Sequence, residues 1–521
     1  MKCWFRECIE RHSECRLVEP TFEPTRLIEI SKDSHTWNLR LGSNPTKVVP
    51  YAALSYCWGP QGFIKTTKAS LTHWMTDLPW ALLPKTVQDA IVVTHELGLC
   101  FLWVDALCIV QDDEEEKPRE ISTMNRIFSE AEVTIAAARA RHVYEGFLHP
   151  RRLSESLKFE LPFRCQDGEM GTIHLVSPPG LFEAEPLDTR GWAMQEGLLS
   201  RRVLEFGTRQ TRFVCKEDLT GHCDGWSLHS EFADGRYDRP VPRIKDNRAD
   251  ATVFDIVALN GLLKDWRSLV WRYTRRQLSF PSDRVLAISA LAERYSREIR
   301  SQYLAGLWRV GLPNDLLWYS CSFTNKRLSC YQGPSWSWVS VNEVIDFIYF
   351  GGGYGTKFIY DLDIVDVMTE LETELAPFGA MKSSSLVVRG RLQLAEWRKP
   401  SGRSYSDRVR LLSHAGEEDF LALRVYSDDK EIDGFGTDWS PVALLLVRGP
   451  QEDPTVALEY AGLLLRQSGL DVYTRLGTFS FEPLYDYREE NHPETEEQWR
   501  ARFPFQASWF DDCEVKTITL I

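Results

Sequence analysis

The stretch DTRGWAMQEGLLS (188–200) puts Glu196 four residues after Trp192, in a segment with the spacing of a short amphipathic helix. At i and i+4 the two side chains share one face, and the tryptophan turns that face inward. A carboxylate drawn toward apolar surroundings has to reach water at its tip, pair, or take part in chemistry. As a partner of backbone amides, or of Arg190 or Arg201, it is structural; placed beside a substrate, it stabilises developing positive charge. Residue type leaves both open. Asp105 directly follows the apolar run Leu102-Trp103-Val104, where it either caps the next turn or belongs to a site.

A second set of chemistry-bearing residues lies in CWFRECIERHSEC. Cys8, His12 and Cys15 stand at i, i+4 and i+7 of one predicted helix, and Cys3 is available as a fourth donor. Thiolates and imidazole are the natural ligands of zinc. A single helix rarely surrounds an ion, so the alternative is thiols packing that helix onto its domain. Cys215, His222 and Cys223 form a looser cluster. FGGGYGTK (350–357) lacks the spacing of a phosphate loop and reads as a flexible turn. The chain has no G-x-S-x-G elbow, H-E-x-x-H pair or Walker A sequence.

The elements that position these residues follow from periodicity. YAALSYCWG reads as a strand ending toward Gly59, and LPKTVQDAIVVTHELG as a helix with Val87, Ala90, Ile91, Thr94 and Leu97 on one face. CFLWVDALCIVQ is a buried-strand run, and KPREISTMNRIFSEA repeats helical spacing through Ile121, Met124, Ile127, Phe128 and Ala131. The acidic run DDEEEK (112–117) reads as the solvated first turn of that helix. EVTIAAA is a third strand; after an insertion comes the Glu196 helix, then the strands RRVLEFG and TRFVC. Such alternation predicts a parallel, doubly wound sheet with a ligand crevice at the strands' carboxyl ends. Ser55, Trp58 and Gly59, then Asp105, then Glu196 all fall at that edge.

Length and composition bound the rest. The 521 residues suit several domains, with 43% hydrophobic and 26% charged residues and 18 tryptophans as in aromatic-anchored cores. A net charge of −14 argues against a nucleic-acid partner, because neutralising phosphates takes a basic face. The start reads as no signal peptide, and no apolar run is long enough for a membrane span. Twelve cysteines without framework spacing predict free thiols in a reducing, cytoplasmic setting.

Taken in order, YAALSYCWG, LPKTVQDAI, LWVDALCIVQDD with EISTMNRIFSEA, and RGWAMQE resemble the heterokaryon incompatibility (HET) domain of fungal proteins. The N-terminal C-x-x-x-H-x-x-C segment, YTRRQLSFPSDRVLAISALA, YLAGLW and GPSWSWVSV resemble the flanks of many such proteins. The departures are Cys57 for a common hydrophobic residue, Phe128 for Tyr, and Ala193-Met194 for Thr-Leu. The resemblance implies a part in non-self recognition and programmed cell death. It also implies a distant relation to TIR domains, many of which carry Trp-Cys-x-x-Glu, with the glutamate catalytic in the NAD-cleaving members. Trp192 and Glu196 keep that offset, without the cysteine. On that basis Glu196 is the expected catalyst of an NAD glycohydrolase. Ser55, Trp58, Gly59, Asp105, Arg190 and Trp192 form the substrate set. Trp58 or Trp192 would stack on a substrate ring, and Asp105 or Ser55 would bind ribose or phosphate-side groups.

The expected architecture is α/β: a TIR-like (flavodoxin-like), mostly parallel sheet with helices on both faces, then a helical subdomain and a β-rich C-terminal domain. The expected boundaries are 1–45 for a helical or extended segment holding the Cys/His cluster, 46–220 for the HET domain, 221–380 for a mainly helical subdomain and 381–521 for the β-rich domain. The rival expectation is a non-enzymatic module that signals by self-association or with an incompatibility partner protein, with Glu196 structural. A third has the domain turned toward another nucleotide or sugar.

Overall fold

Short runs of small, β-branched and aromatic residues build a mixed eight-stranded sheet in the first of two units of this computed structural model, Met1–Arg243 and Ile244–Ile521. The structure describes residues 1–16, 22–34, 36–43, 49–59, 62–151, 158–165, 168–176, 184–208, 210–218, 221–223, 256–321, 331–348, 360–374, 376–398, 407–411, 420–428, 440–448, 461–480, 510 and 513–521.

The first unit runs α1 (Lys2–Arg11), β1 (Arg26–Lys32), β2 (Trp37–Ser43), β3 (Ala52–Ser55), α2 (Leu71–Thr76), α3 (Lys85–Glu96), β4 (Phe101–Trp103), α4 (Asp105–Cys108), α5 (Glu116–Ser122), α6 (Met124–Glu130) and β5 (Val133–Ala136). It continues through the hairpin β6 (Lys158–Arg164) and β7 (Met170–Val176) to α7 (Gly191–Leu199), β8 (Arg202–Phe206), β9 (Thr211–Cys215) and β10 (His222–Cys223). The sheet order is β10-β9-β8-β5-β3-β4-β1-β2. The central four, β8, β5, β3 and β4, pair in parallel, while β9 and β10 on one side and β1 and β2 on the other add antiparallel edges. Every residue of β3, β5 and β8 is buried, as expected of strands covered on both faces.

Helix α3 buries Val87, Ala90, Ile91 and Thr94, the face its periodicity predicts. The helix expected across 117–131 is instead two, α5 and α6, meeting at Thr123. The Thr123 hydroxyl donates to the Glu120 carbonyl at 2.9 Å, a side-chain bond that competes with helix propagation. The acidic run is also less solvated than its composition suggests. Asp113 accepts from the amides of Glu115 and Glu116 at 3.0 Å, bonds that with Lys68 pull its carboxyl down to about 2. Glu116 forms a two-pronged pair with the buried Arg26 guanidinium, at 2.7 and 2.6 Å.

The second unit opens with α8 (Ile256–Thr274) and α9 (Asp283–Ile299), followed by β11 (Tyr303–Leu304), β12 (Leu307–Trp308), β13 (Trp318–Ser320) and β14 (Ile345–Phe347). Eight longer strands follow: β15 (Leu362–Leu371), β16 (Met381–Arg398), β17 (Asp407–Leu411), β18 (Phe420–Ser427), β19 (Ser440–Arg448), β20 (Ala461–Gly469), β21 (Val472–Ser480) and β22 (Val515–Leu520). Among the described residues, 221–380 thus holds α8 and α9 together with strands β10 to β15. The order β16-β17-β18-β21-β20-β19 returns on itself, because β19 pairs with β16 as well, and closure removes free edges. The glycine-rich stretch 350–357 lies outside the described residues. Among the described residues no helix is long and apolar enough to cross a membrane.

One buried cation ties the closed sheet to β13. Arg475 and Asp428 are both fully buried, and the Arg475 guanidinium donates to Asp428 at 2.9 and 3.3 Å, to the Leu316 carbonyl at 2.6 Å and to the Trp318 carbonyl at 2.5 Å. It also lies 3.5 Å over the Trp318 ring. Arg475→Ala takes the cation from a buried carboxylate and a donor from each of two carbonyls. We expect it to destabilise the second unit by about 3–5 kcal/mol, read as a lower midpoint in chemical denaturation, whereas Arg466→Ala on the neighbouring strand should leave the midpoint in place.

Candidate functional site

The parallel strands follow the chain order β3, β4, β5, β8, yet β3 has β4 on one side and β5 on the other. The connections leaving β3 and β4 therefore run in opposite senses, and the carboxyl ends of β3 and β5 are the place where a doubly wound sheet takes a ligand. Ser55, the last residue of β3, is 2% exposed, and its hydroxyl donates to Glu196 Oε2. Glu196 itself is 5% exposed. Its backbone carbonyl accepts from the Ser200 hydroxyl at 2.6 Å, and that hydroxyl also bonds Thr134 Oγ1 of β5 at 2.6 Å. Helix α7 is thereby fastened to both strands of the reversal. Arg201 lies elsewhere: its guanidinium donates to the Cys15, Glu130 and Ala131 carbonyls and to Glu132. Trp192 is half-buried and packs against the main core.

Asp105 opens the short helix after β4 and meets the loop after β3. Trp58 Nε1 donates to its Oδ2 at 2.8 Å, and the Ala106 amide donates to its Oδ1 at 2.7 Å. Burial pushes the Asp105 carboxyl up, against the pull of the Arg190 charge and of the Trp58 bond. Burial likewise raises Tyr56 and Cys57; Glu196 adds to both shifts and Arg190 opposes both. Ser55, Tyr56, Cys57, Trp58, Asp105, Arg190 and Glu196 thus form one electrostatic neighbourhood. The Trp58 face is not bare, since Lys65 Nζ lies 4.5 Å over the ring and Phe63 meets it edge-on at 5.4 Å. Gly59 turns this loop: its φ is +74°, and a Cβ there would sit 2.2 Å from that of His142.

The N-terminal donors are arranged differently from the expectation. Cys8, His12, Cys15 and Cys215 bring their ligand atoms within 4.8 Å of one another, a group able to hold a metal ion. Cys3 is exposed and outside it. Helix α1 stops at Arg11, and His12 takes extended backbone angles before a single 3-10 turn, Ser13–Cys15. The three residues therefore curl around a point instead of lining one helical face, and β9 supplies the fourth. His12 Nδ1 lies 3.2 Å from Cys215 Sγ. Hydrogen bonds from Cys215 and Cys8 hold the Cys15 thiol well below its ordinary range.

Of the expected set, the structure brings Ser55, Trp58, Gly59, Asp105, Arg190 and Glu196 to the end of β3 and adds Tyr56, Cys57 and Lys65; Trp192 is placed only against the core. Tyr56 and Cys57 sit inside a motif already singled out, whereas nothing in the local sequence marks Lys65. Cys215 was visible only as part of a looser cluster with His222 and Cys223. Residues 51–196 match a family model described as Heterokaryon incompatibility protein (HET). No curated protein and no solved structure matches the chain.

Two outcomes are expected here. Gly59→Ala forces a left-handed backbone angle on a residue with a Cβ and drives it into His142, at a cost of about 1–3 kcal/mol, read as a lowered melting temperature. Asp105 has a raised folded-state value, so its contribution is full below the ordinary aspartate range and is lost as pH climbs through the raised value. Asp105→Asn keeps an acceptor for Trp58 and does not titrate. Its stability relative to wild type should therefore grow across that window in paired thermal melts. Parallel curves would remove Asp105 as the titrating group.

Proposed function

We propose, from the premise that residues 51–196 are a HET domain, that this chain acts in heterokaryon incompatibility as a cell-death effector of non-self recognition, and that it cleaves NAD at the β3–β5 edge. The observation that carries the reading is the meeting of Ser55 and Glu196 where the strand order reverses. The four parallel strands, taken in chain order, lie 2-1-3-4, the flavodoxin-like order expected of a TIR-like domain.

In this reading the bond between nicotinamide and ribose breaks with its electron pair leaving on the neutral nicotinamide. The ribosyl carbon passes through an oxocarbenium-like state that the Glu196 carboxylate stabilises. Water then adds to that carbon and gives up a proton, leaving ADP-ribose. Nicotinamide departs from its cationic form, so no second acid has to protonate it. The Ser55 hydroxyl orients the carboxylate, and Asp105 takes ribose hydroxyls. Lys65, over the Trp58 face, supplies positive charge for the pyrophosphate, which leaves ring stacking to Trp192. Self-association brings the catalytic edges of several chains into play.

The 5% exposure of Glu196 favours a second reading, a scaffold that signals through self-association or a partner, with the acid serving only to satisfy Ser55. Nicotinamide release by purified protein separates the two, with wild type beside Glu196→Gln, dilute and crowded. The amide can still accept from Ser55, so catalysis predicts a folded variant with turnover reduced about 100-fold or more. The scaffold predicts no turnover in either protein, with the variant as well folded as wild type.

A further inference from the structure

We propose that Cys8, His12, Cys15 and Cys215 bind one Zn²⁺ that clasps the N-terminal helix to β9. The donors come from two elements far apart in sequence, which meets the need that a lone helix cannot. Tetrahedral zinc, with bonds of about 2.3 Å to sulfur and 2.0–2.1 Å to nitrogen, sets its donors roughly 3.5–3.8 Å apart. These four already lie within 4.8 Å of one another, so closure around an ion takes side-chain adjustments of an ångström or less. Three sulfurs and an imidazole exclude the hard cations and suit zinc.

The surroundings fit thiolates bound to a dication. Arg202 Nε donates to Cys8 Sγ at 3.1 Å, and the Asp218 amide donates to Cys215 Sγ at 3.3 Å. Arg202 and Arg201 also hold the Cys15 carbonyl, at 3.0 and 3.1 Å, fixing the turn that presents that thiol. Such outer bonds orient ligands and tune their basicity. The charges balance as well. Zinc with three thiolates and a neutral imidazole carries −1. Arg201 and Arg202, both nearly fully buried, share the single carboxylate of Glu132, which leaves one positive charge to offset it. Four protein ligands leave no open position, so the ion is structural. It sits where Cys8 and Cys15 join the core, beside the Trp4 ring stacked on His222 of β10. The clasp therefore braces the strand next to β8, whatever chemistry Glu196 performs.

The test is the metal content of the purified full-length chain after gel filtration. One zinc per chain is expected in wild type and in Cys3→Ser, falling below about a tenth of that in Cys215→Ser and Cys15→Ser. Cobalt exchanged into wild type should give the strong visible bands of a tetrahedral site and thiolate charge-transfer absorption. Wild type that holds no zinc and gives no such spectrum overturns the proposal. So does a disulfide between two of the same thiols, seen as an intact mass two hydrogens short and located by peptide mapping. Equal zinc loss in Cys3→Ser would overturn the ligand set. If the Cys215 variant is insoluble, the wild-type stoichiometry, the cobalt spectrum and Cys3→Ser decide.

Discussion

Strand β3 is hydrogen-bonded along both edges, to β4 and to β5, and its four residues, Ala52, Ala53, Leu54 and Ser55, are all buried. A strand so enclosed has no water with which to satisfy a polar side chain. The hydroxyl at its end must find a partner within the fold, or cost about 1–3 kcal/mol. Glu196 is that partner. Much of the edge follows from this. Helix α7 has to bring its carboxylate to the end of β3, Ser200 and Thr134 hold the helix there, and Arg190 stands at its first turn. The two alanines matter as much as the serine, since small side chains let covering elements approach the sheet closely.

Three buried guanidiniums are handled by the same means. Arg26, Arg202 and Arg475 each pair with a carboxylate and spend their remaining N–H groups on backbone carbonyls or other acceptors. A guanidinium presents five donors in a fixed fork, so a single acid cannot satisfy it in a dry core. The carbonyls supply the balance. In the first unit this binds the N-terminal turn to the sheet through Arg201 and Arg202; in the second it binds β21 to β13 through Arg475. The pairs add little net stability against apolar replacements, but they fix which segments meet.

What the sequence made legible was local or repeated. The face of α3, the buried runs of β3 and β5, Asp105 just after β4 and Glu196 on a short helix all follow from apolar runs and a period of 3.6. What escaped depended on single residues or long-range pairing. His12 leaves the helical register and turns a stripe into a ring, and Thr123 splits one helix with one hydroxyl. Neither shows in a periodicity window. The β1–β2 hairpin joins a parallel sheet antiparallel, and β19 returns to β16. Both are pairings between distant segments, which composition does not encode. Cys215 joined its partners only once β9 was placed beside α1.

The β3–β5 edge concentrates charge. Asp105 and Glu196 are two acids, and Arg190 is the cation whose charge opposes the burial shifts of Asp105, Tyr56 and Cys57. Lys65, over the ring of the Trp58 that donates to Asp105, is a second cation, so two acids and two cations meet in an enclosed setting where Coulomb terms are stronger than in water. The four charges therefore act as one unit, and removing any of them changes the balance for the other three.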